Sequence, residues 1–517
     1  MNVSYLVQFG KIVALLAVCA ARASLAVEPI EIGSRLELMV DDYLIDEMSG
    51  GARLELHRAT MREVAIVADA PWEGNAGLYW VVLRDGDLYR AYYGGMHYTP
   101  DTEKFVMPHP ATLCYAESVD GKNWTKPELG LCDFRGSKEN NILLNGSESA
   151  GFTVGGFAPD HISVFIDTNP DCPPEARYKA LARAHGTNLI GFQSADGIRF
   201  EPFSAEPLLS EGKFDSLNLA FWDATRGEYR GYFRDFIVGQ GGEQPHGWRT
   251  VRTATSPDLK TWSSMSRLDF PGVPLEHVYT NQVQPYFRAP HIFVGFPMRY
   301  TNRGWSEQSK LLPGREARER RAAQHERFGA AVSDAVFMTS RDGKTFRRWG
   351  EAIIRPGLRP RDNWVYGDNA PAWGLVQTKS DVAGAPDELS IYATESYWTG
   401  DSCQLRRYTY RVDGFVSVRA PLSGGEFITR PIKFTGSQLV VNFSTSGAGS
   451  LRVEIQQPDG TPIEGLSLDD SPEAYGDDLE RTITWNSAAD LGKLAGEPIR
   501  LRFVLSDADL FAFQFQP

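Results

Sequence analysis

Short runs of aromatic and β-branched residues alternate with polar turns along most of this chain. The runs come in pairs, for example "LYWVVLRDGD" followed by "LYRAYYGG", and "LNLAFWDATRG" followed by "EYRGYFRDF". Runs of this length, separated by Asp, Gly, Asn and Pro, are typical of β-strands joined by tight turns. The pattern therefore predicts an all-β protein.

A short phrase follows each pair of runs and marks a repeat. It reads "CYAESVDGKNW", "GFQSADGIRF", "TATSPDLKTW" and "MTSRDGKTFRRW", and a degenerate fifth copy reads "YTYRVDGFVSV". Ser, Asp and an aromatic residue recur in the first four copies, and the third copy lacks the Gly that follows Asp in the others. The copies are spaced more widely than WD40 or kelch blades, which suits a four-stranded unit with long loops.

Each unit is predicted to contain strands A to D, with Asp-Gly at the turn between C and D and the aromatic residue in the seam between blades. Five such units fit a five-bladed β-propeller over residues 27–418. Beyond residue 418, longer alternating runs such as "PIRLRFVLSDADLFAFQF" predict a C-terminal β-sandwich over residues 419–517. An N-terminal strand near Asp41 and Asp42 is expected to close the ring.

One charged segment differs from the strands around it. "REARERRAAQHERFG", from Arg315 to Gly329, predicts a helix in the loop between strands B and C of the fourth blade. A solvated face is the common role for such a helix. Because its loop opens on the predicted mouth, the alternative is a lid that recognises a sulfated or carboxylated glycan.

The N-terminus has the pattern of an export signal. Lys11 precedes the apolar stretch "IVALLAVCAARASLA", which ends in the small-x-small tripeptide Ser24-Leu25-Ala26. The stretch is too short for a confident membrane span. Residues 1–26 are therefore predicted to be a signal peptide, and the mature chain is expected to be secreted or periplasmic.

Charge and cysteine content narrow the function further. The formal net charge of −13 argues against a nucleic-acid partner and fits an acidic secreted enzyme. Beyond the predicted signal peptide, the cysteines are Cys114, Cys132, Cys172 and Cys403. Cys114 and Cys132 flank one strand and turn, which favours a disulfide between them, and four free thiols are the alternative.

Propeller geometry predicts where polar residues converge. Strands A and B are antiparallel, so the loop entering A and the loop leaving B open on one face, where ligands bind in a concave mouth. The polar residues before the A strands are Glu73, Asp160, His161, Asp215, Glu276, His277 and Asp368. Those at the B ends are Arg234, Asp235, Arg299 and Glu395. The accompanying aromatic residues are Trp72, Tyr79, Tyr279, Tyr300, Trp364, Tyr366, Tyr397 and Trp398.

Carboxylates beside aromatic faces are typical of sugar sites, and two carboxylates suffice to hydrolyse a glycosidic bond. Glu395 is predicted to be the general acid, because an aromatic pocket would raise its pKa. Asp215 is predicted to be the base or nucleophile, with Glu73 and Asp160 as further candidates. Glu73, Asp215 and Glu395 are expected to point into one pocket. Loop caps and surface charges are the alternative roles for each.

Other residues at the mouth are predicted to bind substrate, and the arginines among them could hold an anionic sugar group. This set is Asp160, His161, Arg234, Asp235, Tyr279, Arg299, Tyr366, Asp368, Tyr397 and Trp398. Three acidic residues in the A-to-B turns are excluded, because those turns lie on the opposite face: Asp85, Asp167 and Asp223. The spacing of His161 and His277 does not indicate a metal site. No cofactor is expected, although a structural Ca²⁺ could occupy the central channel.

At this point the chain resembles the five-bladed propeller glycosidases of families 32, 43, 62 and 68. The likeness covers roughly Glu28 to Val418 and rests on the repeated phrase, the blade pattern and the mouth carboxylates. The chain looks closest to an exported bacterial group that is family-32-like, with "LMVDDYLID", "FDSLN", "FPMRY" and a terminal "DADLFAFQF". The trailing sandwich is also similar to the family 32 plan.

The departures from that family limit what the resemblance implies. The invertase-type Trp-Met-Asn-Asp-Pro-Asn-Gly motif is absent, the Arg-Asp-Pro motif is replaced by "RDF", and Glu395 is followed by Ser396 rather than Cys. Fructan specificity therefore does not carry over. The phrase is also similar to the sialidase Asp box, but the spacing differs and no arginine triad is evident.

The resemblance implies an exported glycoside hydrolase that acts on an oligo- or polysaccharide, and an anionic carbohydrate is included among the expected substrates. Two alternatives stay open at this point. One is a carbohydrate-binding propeller without activity, which would lose only affinity when its acids are substituted. The other is a glycoside phosphorylase in which Arg234 and Arg299 hold phosphate.

Overall fold

The computed structural model describes residues 28–99, 106–146, 152–153, 156–184, 186–243, 246–358, 363–487 and 490–517. Nearly all regular structure in these residues is β-strand, which confirms the predicted all-β class. The helices are α1 (Glu307–Lys310), α2 (Arg315–Gln324) and α3 (Glu326–Ala330). Three single turns of 3₁₀-helix cover Pro174–Ala176, Leu468–Asp470 and Leu491–Leu494. The predicted signal peptide lies outside the described residues.

Five antiparallel sheets of four strands each are present among the described residues. Sheet 1 contains Trp80–Asp85, Leu88–Gly95, Thr112–Ser118 and Ile142–Asn145. Sheet 2 contains Phe157–Ile166, Tyr178–Ala184, Leu189–Ser194 and Glu201–Pro202. Sheet 3 contains Leu219–Asp223, Glu228–Ile237, Trp248–Ser256 and Ser266–Arg267. Sheet 4 contains Gln284–Tyr286, Ala289–Gly295, Met338–Ser340 and Arg347–Arg348. Sheet 5 contains Val376–Thr378, Glu388–Glu395, Gln404–Arg411 and Thr60–Val67.

The fourth strand of sheet 5 comes from the other end of the chain. Thr60–Val67 pairs with Gln404–Arg411, antiparallel. The expected closing strand near Asp41 and Asp42 was therefore misplaced, because those two residues lie in a bend before Ile45–Gly50. The degenerate fifth phrase departs from the others for the same reason: after its Asp-Gly turn the chain leaves sheet 5.

Successive sheets adjoin one another, and sheet 5 adjoins sheet 1. Inner strands of sheets 1 and 2, of sheets 2 and 3, and of sheets 5 and 1 are in contact. Side chains join the remaining pairs: Ser216 Oγ donates to the Tyr279 carbonyl between sheets 3 and 4, and Trp373 Nε1 donates to the Val283 carbonyl between sheets 5 and 4. The loops that precede these inner strands are thereby brought together.

The repeated phrase forms the predicted turn between strands C and D. In sheet 1, Asp120 Oδ1 accepts hydrogen bonds from the backbone N–H groups of Lys122 and Asn123, both at 2.8 Å. Gly121 follows with φ of 72°, a left-handed conformation that glycine adopts without a steric penalty. Leu259 replaces glycine in the third copy and is nevertheless left-handed, with φ of 64°.

In three copies of the phrase, a tyrosine of the preceding sheet donates a hydrogen bond to the glycine. Tyr392 in sheet 5, Tyr92 in sheet 1 and Tyr232 in sheet 3 donate to the glycine carbonyl of the following sheet at 2.6 to 3.0 Å. Where the phrase carries Leu259, the equivalent strand position in sheet 2 is Leu181 rather than tyrosine. The phrase aromatics pack in the same seams, as Phe200 against Tyr92 illustrates, which confirms their predicted place.

A larger antiparallel sheet combines both ends of the described chain. Its strands are Glu37–Leu38, Ile45–Gly50, Arg53–Leu56, Val416–Ala420, Gly425–Thr429, Gln438–Gln456, Asp477–Thr482 and Arg500–Gln516. A parallel pair, Ile30–Gly33 with Ile432–Phe434, adjoins it. Inward-facing residues such as Phe427, Phe503 and Phe513 form a core separate from that of sheets 1 to 3. N-terminal residues therefore contribute to the C-terminal β-structure, which the sequence did not indicate.

The predicted helical segment is confirmed as α2 and α3. It lies between two strands of a small three-stranded sheet, His277–Val278, Met298–Asn302 and Ala331–Ala335, which adjoins sheet 4. Arg318 and Arg321, on α2, are almost fully buried. Helix α2 therefore packs against the protein through these two arginines, while its other side, with Arg315, Glu316, Glu319 and Arg320, is exposed as expected for a solvated face.

The four cysteines of the described residues are free thiols. The expected disulfide between Cys114 and Cys132 is absent from the described structure. Cys132 Sγ instead lies 3.6 Å from the Leu143 carbonyl, and Cys114 Sγ lies 3.3 Å from Thr112 Oγ1. None of the described helices has the length and apolar character needed to cross a membrane.

Candidate functional site: a basic cavity beside sheets 2, 3 and 4

One cavity of about 630 Å³ opens where loops of sheets 2, 3 and 4 meet. We call it the basic cavity. Its lining residues are Arg183, Gly186, Thr187, Gly212, Lys213, Phe214, Asp215, Arg234, Phe236, Val238, Glu243, His246, Arg249, Tyr279, His325 and Arg327. A space of this size is in the range that holds small ligands or a few sugar units.

Strand periodicity places two lining residues of sheet 3. Arg234 and Phe236 lie two residues apart in Glu228–Ile237, so their side chains leave the strand on one face. Asp235, between them, points the other way and pairs with Arg252 Nε at 2.7 Å and Arg267 Nε at 2.9 Å. The prediction that Asp235 binds substrate is therefore not supported, whereas Arg234 lines the cavity as expected.

Two arginines lie against one tyrosine ring in the cavity. Arg234 Cζ lies 4.9 Å and Arg249 Cζ 5.1 Å from the centroid of Tyr279. Both arginines are more than nine-tenths buried. Cation–π contacts of this kind hold a guanidinium in place while its N–H groups stay available to a ligand.

Asp215 is the accessible carboxylate of the cavity. Its side chain is 51% exposed, and Arg234 Nη1 is 3.9 Å from its Oδ1, beyond hydrogen-bond distance. The same Nη1 donates to the Asp215 backbone carbonyl at 3.0 Å. Arg234 thus fixes the backbone of Asp215 and leaves its carboxylate facing the cavity.

The second carboxylate, Glu243, is held firmly. Arg249 Nη1 donates to Oε2 at 2.7 Å, and the Tyr300 hydroxyl donates to Oε1 at 3.0 Å. Burial opposes ionisation of Glu243, but these hydrogen bonds and the charge of Arg249 lower its pKa below the ordinary value. Glu243 is therefore an ionised carboxylate over the neutral pH range.

The α2–α3 insertion brings His325 and Arg327 to the cavity. It is anchored by Arg318, whose guanidinium donates to the carbonyls of Pro313, Gly329 and Trp364 at 2.6 to 2.9 Å. Phe328 stacks on Tyr366 with centroids 6.1 Å apart. These contacts hold the segment so that His325 and Arg327 line the basic cavity.

Three predicted aromatic residues form a buried cluster under that insertion. Tyr397 stacks on Trp398 at 4.9 Å, and the hydroxyls of Tyr366 and Tyr397 are 3.5 Å apart. Ser396 and Trp398 both have positive φ, a costly conformation for residues with side chains. The cluster contacts Arg327, whose Cζ lies 5.6 Å from the Tyr366 centroid, but none of its three residues lines the basic cavity.

The structure does not bring the three predicted catalytic acids together. Glu395 is buried and accepts from Arg406 Nε at 2.6 Å, within sheet 5. Glu73 is fully buried and is bound by the Tyr93 hydroxyl at 2.5 Å and Lys126 Nζ at 2.6 Å. Only Asp215 lines the basic cavity, so the expected single pocket is corrected to a site that contains one of the three.

Other predicted substrate-binding residues also have protein partners. Arg299 forms a two-point ion pair with Asp334, at 2.8 and 2.7 Å. Asp368 is buried and accepts from the Tyr397 backbone N–H at 2.8 Å. These two contacts hold loops in place, so the corrected role for both residues is structural.

Asp160 and His161 lie next to the cavity rather than in it. Their side chains are 2.9 Å apart, and the His161 ring packs against Tyr79 at 4.9 Å. Burial opposes ionisation of Asp160, but the charge and hydrogen bond of His161 lower its pKa. Tyr79 reaches toward Ser216 and Asp215, which links this pair to the cavity.

The predicted site residues lie before strand A and at the end of strand B, and so do not include Glu243 and Arg249. Arg327 falls in the segment from Arg315 to Gly329, for which a glycan-recognising lid is the stated alternative. Strand C is antiparallel to B, so the start of C opens on the same face as the end of B, and this signal would have identified Glu243 and Arg249. Arg327 belongs to an insertion whose direction no strand pattern fixes.

A second cavity, of about 640 Å³, opens near the A-to-B turns and is lined mainly by apolar residues such as Val81, Phe165 and Trp373. Asp85, which lines it, is paired with Arg177. This placement agrees with the exclusion of Asp85.

Among the described residues, no group of three or more His, Cys, Asp or Glu side chains could hold a metal ion. His277 is neutral in this setting, because burial and the nearby Arg249 lower its pKa to about 4.

No known family profile and no curated protein matches the chain. Its structural neighbours are glycoside hydrolases, phosphorylases and related enzymes. They include an N-acetylgalactosamine deacetylase from F. plautii in complex with blood group B trisaccharide (14% identity, TM-score 0.38, covering 69% of this chain and 95% of that one). They also include the catalytic domain of a Coprinopsis cinerea GH62 α-L-arabinofuranosidase (8% identity, TM-score 0.39, covering 69% of this chain and 99% of that one). A third is the β-1,2-mannobiose phosphorylase from Listeria innocua (11% identity, TM-score 0.40, covering 68% of this chain and 97% of that one). Similarity at this level assigns neither a family nor an activity to this chain.

Proposed function

We propose that this chain is a carbohydrate-active enzyme that cleaves a glycosidic bond in the basic cavity, with Asp215 as the acting carboxylate. The observation that carries the proposal is the placement of Asp215: an accessible carboxylate on a fixed backbone, in the lining of the basic cavity. A positioned carboxylate can take a proton from water as that water attacks the anomeric carbon, while the departing glycosidic oxygen receives a proton from solvent.

The residues around Asp215 fit a role in positioning. Arg234 removes freedom from the Asp215 backbone, and near-attack geometry of this kind contributes strongly to catalysis. Glu243 is held ionised by Arg249 and the Tyr300 hydroxyl, and its ion pair in turn orients the Arg249 guanidinium in the cavity lining.

The wider architecture is part of the proposal. Sheets 1 to 5 are proposed to be the blades of a five-bladed β-propeller that ends near residue 418, and the large sheet to be a β-sandwich beside it. Residues 1–26 are proposed to be a signal peptide, so that the enzyme acts outside the cytoplasm. N-terminal sequencing of protein recovered after export would test the last point, and an N-terminus near residue 27 is expected.

Phosphorolysis is a second candidate, because the cavity contains more cations than carboxylates. In that case inorganic phosphate, not water, would attack the glycosidic bond. Turnover that requires added phosphate would identify this reaction.

A glycan panel that includes sulfated and uronic-acid polysaccharides tests the proposed function, with new reducing ends as the readout and assays run with and without phosphate. Asp215→Asn is expected to abolish cleavage while binding is retained, because the substitution removes the acting group without changing shape. Asp42→Asn, which alters an acid that is 78% exposed and lies outside the cavity, serves as the control. Cleavage by Asp215→Asn at the wild-type rate would overturn the assignment.

A further inference from the structure

We propose that the basic cavity binds a glycan that carries oxyanion groups, carboxylate or sulfate, and that Arg234, Arg249 and Arg327 together receive one of them. The inference rests on the proposed function, since it names the substrate class of the same cavity. Three features of the described residues lead to it: local positive charge, unsatisfied guanidinium groups, and the placement of the three arginines over the neighbouring rings of Tyr279 and Tyr366.

The cavity is positively charged in an acidic protein. Its lining contains five cationic side chains and two carboxylates, which leaves three positive charges in excess. The chain as a whole has a formal net charge of −13. A concave site whose charge is opposite to that of the surrounding protein attracts ligands of the complementary sign.

Three arginine N–H groups in the cavity lack a partner within the protein. No described residue accepts a hydrogen bond from Arg234 Nε, Arg249 Nε or Arg327 Nη1, although all three atoms are buried. Leaving a buried charged donor unsatisfied is costly, so such groups are normally paired. An oxyanion seated against these guanidinium groups would offset their uncompensated positive charge, and charge-assisted contacts are the strong ones.

The three arginines converge on one region. Arg234 and Arg249 lie against the Tyr279 ring, and Arg327 lies over Tyr366, whose ring is 6.3 Å from that of Tyr279. The planar fork of arginine matches the two oxygens of a carboxylate or sulfate edge. The sugar ring attached to the oxyanion would then lie close to Asp215.

Charge continues from this region toward the outside. Lys213 is exposed, and Arg183 is partly exposed. A single inorganic phosphate would contact the three buried arginines and leave Lys213 and Arg183 without a ligand contact. A polymer with charges on successive sugars would contact both the three arginines and the two outer cations, which favours an acidic glycan as the ligand.

Matched pairs of polysaccharides test the inference. Calorimetry would compare a uronic-acid polysaccharide with its carboxyl-reduced form, and a sulfated polysaccharide with its desulfated form, using the full-length mature protein. We expect the acidic member of at least one pair to bind about 10-fold or more tightly than its neutral partner. The affinity should fall as salt is raised from about 0.05 to about 0.2 M, because the pairs are partly screened.

Two variants of equal net charge locate the effect. Arg327→Gln removes a guanidinium from the cavity, and Arg315→Gln removes one from the exposed start of α2, where Arg315 pairs with Glu319. We expect Arg327→Gln to weaken binding of the acidic glycan about 10-fold and Arg315→Gln to leave it unchanged. Circular dichroism would verify that both variants fold.

The outcomes separate this inference from the proposed function. Equal binding of acidic and neutral partners, or equal effects of the two variants, would overturn the inference even if a glycosidic bond is cleaved. Selective binding without cleavage would uphold it and contradict the proposed function. Competition by inorganic phosphate at millimolar concentration, together with phosphate-dependent turnover, would assign the arginines to phosphate instead and overturn it.

Discussion

Arg234 Nη1 donates to the backbone carbonyl of Asp215 at 3.0 Å, while the carboxylate of Asp215 is 3.9 Å away from the same atom. The guanidinium thus holds the residue without capturing its reactive group. The reverse holds for Glu395, whose carboxylate accepts a hydrogen bond directly from Arg406. This difference distinguishes the candidate catalytic carboxylate from structural ones.

Arg234→Lys tests whether this contact positions Asp215. Lysine keeps the positive charge but loses the fork that reaches the carbonyl. We expect kcat on a cleaved glycan to fall about 10- to 100-fold, since misplacing a catalytic group has effects of this size. Arg252→Lys, on the other face of the same sheet, should leave kcat within about 2-fold of wild type. Equal effects of the two substitutions would contradict the positioning role.

Glu395→Gln and Glu73→Gln are expected to act on stability rather than on catalysis. Each removes the charge from a buried ion pair, with Arg406 or with Lys126, and breaking such a pair costs about 3 kcal/mol. Urea unfolding should show lower midpoints, whereas kcat of the remaining folded enzyme should change little. A variant of normal stability that has lost turnover would return Glu395 or Glu73 to the catalytic site.

Gly197→Ala should destabilise the protein strongly. Gly197 has φ of 74°, and a Cβ atom there would lie 2.7 Å from the Tyr92 hydroxyl and 2.9 Å from the Tyr178 ring. Backbone strain of about 1–2 kcal/mol adds to about 1–3 kcal/mol for the steric overlap. Gly227 has a similar φ of 67° but open space around it, so Gly227→Ala measures the cost of the backbone strain alone. Similar unfolding free energies for both variants would show that the seam contact contributes nothing.

Stability is expected to fall in acid because of the repeated turns. Burial opposes ionisation of Asp120 and Asp196, but backbone N–H donors lower the pKa of each to about 2. A carboxylate with a depressed pKa stabilises the folded state above its unfolded pKa, and that contribution is lost as the pH falls from about 4 toward 2. Urea midpoints measured across this window should decline, and the decline should be shallower in Asp196→Asn. An unchanged slope in the variant would contradict the assignment.

Local features of the fold could be predicted from the sequence, because each is encoded within a few residues. The strands follow from runs of apolar residues, and the turns follow from Asp-Gly. The last strand of sheet 5 could not be predicted, because Thr60–Val67 lies far from Gln404–Arg411 in the chain and no local pattern pairs them.

The candidate site was only partly predictable for a related reason. Arg234 and Asp215 were identified from their positions at strand ends, but strand position does not reveal a cross-strand partner. Glu395 faces Arg406 of the next strand, and Arg299 faces Asp334, so both are neutralised by residues that sequence reasoning could not place beside them. Arg327 reaches the cavity only because buried contacts of Arg318 orient the insertion.

The pairing of Thr60–Val67 with Gln404–Arg411 also has a kinetic consequence. Sheet 5 joins segments more than three hundred residues apart, so it cannot be complete until most of the chain has been synthesised. Contacts of such long sequence separation slow folding, because loop closure precedes any gain from the pairing. The unpaired edge of Gln404–Arg411 would be open to association with other chains in the meantime. Refolding yield should therefore depend on protein concentration, and removing residues before Val67 should trap the protein with this edge exposed.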